Sequence, residues 1–144
     1  MDNWIYIGVF LDEKSKKKIK KIYNIPNGWT EYIDHMTVAF NDGSYEASVA
    51  KDICDKIGEK KIELKVVGQG LSDKAYALRV EMPTSIPCTN HISHITLACS
   101  PEGQAVDSNY IENWHNISNP FKIKGILRVY YPKLGEVFGN YSFY

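Results

Sequence analysis

From Trp4 to Leu11 the side chains alternate. Ile5, Ile7, Val9 and Leu11 fall on one face, and Trp4, Tyr6, Gly8 and Phe10 on the other, which is the two-residue period of a strand. The period then changes to that of a helix. Asp12 is placed to cap it, and Ile19, Ile22 and Tyr23 form an apolar stripe among lysines, until "IPNG" at 25–28 ends it. A strand follows over 35–40, then a turn at "NDGS" and a helix over 46–57. "KIELKVVGQG" and "AYALRVEM" read as two strands separated by a glycine-containing loop over 68–74, and "TSIPCTN" as a further loop. After a strand at 94–99, "AVDSNYIENWHNI" predicts a helix capped by Asp107 or Ser108. "FKIKGILRVYY" and "GEVFGNYSFY" predict the last two strands. The order β-α-β-α-β-β-β-α-β-β points to an α+β fold with helices covering one side of antiparallel sheets.

The 144 residues, 44% of them hydrophobic, suffice for one domain spanning 1–144 with a real core. Seventeen basic residues balance seventeen acidic ones, so no global field draws the protein to a long polyanion. The lysines of "KSKKKIKK" read as the solvated face of the first helix. Cys54, Cys88 and Cys99 are odd in number and lack metal-type spacing, which fits reduced thiols in the cytoplasm. The opening segment resembles neither a signal peptide nor a membrane span.

"DHMTVAF" at 34–40 is echoed by "SHITLAC" at 93–99. On a strand, His35 and Thr37 project to one face and His94 and Thr96 do the same, while Met36, Val38, Ile95 and Leu97 point into the opposite layer. If both strands border one cleft, two imidazoles and two hydroxyls converge. That set suits a phosphodiester. One neutral imidazole removes a proton from the nucleophile, a protonated partner donates to the leaving oxygen, and the hydroxyls bond the nonbridging oxygens. The arrangement calls for no metal or other cofactor. His91 and His94 are three apart, but the strand pattern that follows and the lack of acidic or cysteine ligands argue against chelation, and His115 reads as a surface residue.

The pair "HMTV" and "HITL" resembles the signature of the 2H phosphoesterase superfamily. "WIYIGVFLDEKSKKKI" and "VVGQGLSDKAYALRV" are similar to its cyclic-phosphodiesterase domains of RNA-repair and tRNA-ligase type, over residues 4 to 131. The resemblance implies a bilobal fold of two concave antiparallel sheets, helices outside and a central groove. It also implies metal-independent cleavage of ribonucleotide phosphodiesters, with His35 and His94 as acid and base in an order the sequence leaves open, and Thr37 and Thr96 holding the phosphate. Its substrates include 2′,3′-cyclic phosphates and, in viral members, cyclic-nucleotide immune signals. Relatives often place proline before the second histidine, where this chain has Ser93.

Tyr6 is a candidate to stack on a nucleobase, and Lys124 and Tyr130, on one face of the strand at 121–131, are candidates for ligand contact. Zero net charge favours a small substrate: a cyclic nucleotide, a cyclic dinucleotide or a short oligonucleotide. RNA 2′,3′-cyclic phosphate ends and 2′-5′ oligoadenylates are the alternatives, and a nucleotide-binding sponge without catalysis is a third. A monomer, with neither long nucleic acid nor membrane as partner, is expected.

Overall fold

The computed structural model describes residues 3–82, 87–90 and 92–131. Along the chain run β1 (Tyr6–Leu11), α1 (Glu13–Ile22), β2 (Thr30–Glu31), β3 (His35–Phe40), α2 (Tyr45–Ile57), β4 (Lys60–Leu71), β5 (Ala75–Glu81), β6 (His94–Cys99), a 3₁₀ helix (Ala105–Tyr110) and β7 (Trp114–Tyr130). The closing strand expected at "GEVFGNYSFY", His91 and part of the "TSIPCTN" loop lie outside the described residues. Among the described residues no helix is long and apolar enough to cross a membrane.

The strands hydrogen-bond in the order β2-β6-β3-β1-β7-β4-β5, and β5 pairs again with β6. Six strands therefore close into one antiparallel barrel, which corrects the expected α+β arrangement of two concave sheets in two lobes. The β5–β6 ladder, from Ala75↔Cys99 to Arg79↔His94, joins strands that a two-sheet fold would leave as separate edges. On its other side β6 meets β3 at Met36↔Ile95. Alternation along a strand reveals its two faces but not its partners, and closure removes the unpaired edges that an open sheet would carry.

One face of the strands carries the main core. Ile7 and Val9, Met36 and Val38, Leu64 and Val66, Leu78 and Val80, Ile95 and Leu97, and Ile123 and Leu127 bring every barrel strand into one apolar cluster. Burying each such side chain contributes about 1.5–3 kcal/mol. Both α-helices add to the same cluster. Asp12 caps α1 by accepting the Ser15 N–H (2.8 Å), and the helix turns Ile19 into the core, whereas Ile22 remains half exposed. Ser44 caps α2, which packs through the small side chains Ala47, Ala50 and Cys54.

Two local expectations are overturned by tertiary pairing. Gly68 and Gly70 lie inside β4 rather than in a loop, and the turn is confined to 72–74, where Ser72 Oγ accepts the N–H groups of Lys74 and Ala75. A Cβ at Gly70 would come within 2.8 Å of Trp114 and Ile111, so glycine is what allows that close approach. The last four residues of the expected helix at "AVDSNYIENWHNI" are strand instead, where Trp114, His115 and Asn116 pair with Gly70, Gln69 and Gly68. The remaining turns form the 3₁₀ helix, begun at Gln104 rather than at Asp107 or Ser108. Weak helical periodicity yields to a ladder with a ready partner.

Candidate active site

The two His-x-Thr segments occupy neighbouring strands. Met36 pairs with Ile95, and both are fully buried in the core cluster. Residues flanking that pair must point the other way, so His35, Thr37, His94 and Thr96 share the opposite face. His35 and His94 each sit one residue before that pair, on neighbouring strands. They are close enough for His35 to disfavour a charge on His94. All four side chains are at most 5% exposed.

The chain bends sharply before His35. Between the β2–β6 pair Thr30↔Cys99 and the β3–β6 pair Met36↔Ile95, one strand advances further than the other, and Ile33 takes up the excess with φ 37°. A β-branched residue in that region stores strain on the order of 1–3 kcal/mol. The Ile33 N–H, bonded to the Thr96 carbonyl (3.1 Å), ties the bend to the second motif.

The two imidazoles have unlike surroundings. His35 Nδ1 donates to Asp34 Oδ2 (3.0 Å), and its Nε2 lies 3.2 Å from Thr37 Oγ1. Lys16 reaches the other Asp34 oxygen at 3.5 Å, and the His35 hydrogen bond, with that ammonium nearby, holds the Asp34 carboxyl below the usual carboxylate range. His94 has no carboxylate on its ring. Its Nδ1 donates to the Ile92 carbonyl (2.8 Å), since a carbonyl can only accept, and this leaves the lone pair on Nε2. That Nε2 is buried and finds no hydrogen-bond partner among the described residues. Burial, and secondarily the neighbouring His35, push the His94 pKa below the ordinary histidine value. The result is one imidazole with a bare nitrogen, disfavoured as the cation, beside another backed by a carboxylate.

The hydroxyls are also held. Thr96 Oγ1 lies 2.8 Å from Ser108 Oγ on the 3₁₀ helix, which rests on a small apolar cluster of Ala75, Ala77, Cys99 and Ile111. Beneath the first motif, Gly8 pairs with Thr37, and a Cβ there would meet the Tyr6 and Phe10 rings at 3.3 and 3.4 Å. Both rings pack against His35, at centroid distances of 5.1 Å for Tyr6 and 5.4 Å for Phe10.

Of the other candidates, Tyr6 is 4% exposed and stacks on both His35 and Tyr130, which leaves it little surface for a base. Tyr130 lies at the outer end of that stack. Lys124 is placed beside the start of α1, where its N–H donates to Ser15 Oγ and its carbonyl accepts the Asp12 N–H, rather than over the histidines. His115 is exposed on β7. Among the described residues no cluster of His, Cys, Asp and Glu could hold a metal ion.

Three residues escaped the sequence reading. Asp34 precedes the first histidine, and adjacency was its only signal. Arg79 is the cross-strand partner of His94, is exposed, and makes no ion pair or hydrogen bond among the described residues, so a cation is available on the face of the second motif. Trp114 lies 6.4 Å from His94, ring to ring, and borders a cavity of about 280 Å³ that His94 also lines.

No protein-family model matches the sequence, and no curated protein matches it either. Among solved structures, the crystal structure of a fungal RNA kinase is similar, with a TM-score of 0.69 over 91% of this chain at 17% identity. The chain spans 46% of that protein. The likeness is one of fold.

Proposed function

We propose that this protein is a metal-independent phosphodiesterase of the 2H type, acting on a small ribonucleotide phosphodiester. The observation that carries the reading is the pairing of unlike histidines on adjacent strands: His94 with a bare, neutral Nε2, and His35 with Asp34 on its far nitrogen. His94 takes the proton of the attacking hydroxyl or water. His35 delivers a proton from Nε2 to the leaving oxygen, and the Asp34 carboxylate supplies its counter-charge. Thr37 and Thr96 donate to the nonbridging oxygens, and Arg79 offsets phosphate charge. Substrate has to displace the contacts that now cover His94 Nε2.

A cyclic nucleotide or cyclic dinucleotide is the first choice of substrate, because the chain has no net charge with which to grip a long polyanion. An RNA 2′,3′-cyclic phosphate end is the second, favoured by the RNA enzyme named for the similar structure. The histidine pair selects diester cleavage over the phosphoryl transfer of a kinase.

The test is a panel of 2′,3′-cyclic mononucleotides, cyclic dinucleotides and 2′-5′ oligoadenylates assayed in EDTA, with His35→Ala and His94→Ala as controls. Turnover of at least one member by the wild type, lost in both variants, is expected. Tight binding with no product would replace the enzyme by a sponge, and turnover that survives both substitutions would refute the site.

A further inference from the structure

The cavity beside His94 is not needed for acid–base chemistry, yet it is built. It measures about 280 Å³, near the lower end of the range for small-molecule sites. None of its described lining residues is Lys, Arg, Asp or Glu, so among them it carries no formal charge to offset a second phosphate. One wall is apolar, formed by Ile111 and Trp114. The indole N–H donates to the Ile111 carbonyl (2.9 Å), and Gly70 lets both side chains seat against β4, so the ring is fixed in place. Asn90, Asn109 and Thr89 line it too; the Asn90 amide donates to the Thr37 carbonyl (3.4 Å), which leaves its oxygen to accept, and Thr89 Oγ1 accepts the Phe40 N–H (3.3 Å). His94 closes the end, 1% exposed, with its unpartnered Nε2.

A fixed aromatic ring sharing a cavity with neutral amides and hydroxyls suits a flat heterocycle with a hydrogen-bonding edge. We infer that this cavity is a nucleobase pocket, with Trp114 as its stacking surface and Asn90 and Asn109 reading the edge of the base. The inference rests on the phosphodiesterase reading for its location, since it seats one nucleoside flanking the phosphate that His94 serves. The volume fits a single nucleoside, which narrows the substrate to diesters in which one base is engaged at a time.

The test compares nucleoside 2′,3′-cyclic phosphates with base-free 1-O-methylribose 2′,3′-cyclic phosphate. In Trp114→Ala the ratio of kcat/KM for the nucleotides to that for the base-free diester falls about 10-fold or more, and Trp114→Phe, which keeps a ring, restores most of it. Asn109→Ala, at an exposed position, alters the preference among bases. An unchanged ratio in both Trp114→Ala and Asn109→Ala would overturn the pocket. So would equal losses in Trp114→Ala and Trp114→Phe.

Should the wild type cleave none of these diesters, the proposed activity fails while the pocket is still decided by calorimetry with nucleoside 3′-monophosphates and ribose 3-phosphate. Tighter binding of the nucleotides, weakened about 10-fold in Trp114→Ala, supports it. Equal affinity for ligands with and without a base refutes it.

Discussion

The two motifs have the same pattern in sequence and opposite settings in space. His35 is held on both nitrogens, by Asp34 and Thr37, and packs against the Tyr6 and Phe10 rings. His94 is held on one nitrogen by a backbone carbonyl and leaves the other without a partner. A repeated motif therefore does not imply repeated chemistry. The backbone sets which atoms face the site, and in the proposed reaction the neighbours set which imidazole gives a proton and which takes one.

The sharpest way to break this comparison is to remove each histidine. His94→Ala and His35→Ala should each lower kcat on the order of 10²- to 10⁴-fold. A variant with near-normal turnover would mean that its histidine is structural.

Asp34→Asn tests the asymmetry more finely. It keeps a hydrogen-bonding side chain but deletes the negative charge beside His35. A loss of about 10-fold in kcat is expected, and a kcat near the wild-type value would show that the charge beside His35 has no part in turnover. The acid limb of the pH profile should not move.

That acid limb belongs to the other half of the comparison. Burial lowers the His94 pKa, so the free base persists as pH falls through the ordinary histidine value of about 6.5. Activity should therefore decline only at pH values below 6.5, as His94 becomes protonated. A decline in kcat/KM that begins above 6.5 would contradict the neutral-base assignment.

The smallest effects concern the supports. Gly70→Ala forces Trp114 and Ile111 to shift and should cost about 1–3 kcal/mol of stability, measurable by urea denaturation. Ser108→Ala removes the hydroxyl beside Thr96 and should cost about 1 kcal/mol. Thermal or urea curves that match the wild type would show that neither contact supports the second motif.

Much of this site was legible because a strand has a period of two. That period alone put His35 with Thr37 and His94 with Thr96, opposite Met36 and Ile95. It could not show that β3 and β6 are neighbours or that β5 closes the barrel, because pairing is decided by contacts between distant segments. Arg79 and Trp114 were hidden for the same reason. Each acquires meaning only through a cross-strand or through-space relation to His94. Tyr6 shows the opposite limit. Its face was read correctly from alternation, but the rings that cover it come from β3 and β7.

The account stands or falls on whether the two imidazoles act on the same phosphorus as one unit. The most direct measurement is kcat/KM for His35→Ala, His94→Ala and the double variant on a single cleaved diester. Groups that serve one transition state are strongly non-additive, so the double variant should lose little more than the worse single variant. Losses that multiply would show two independent roles and would contradict it.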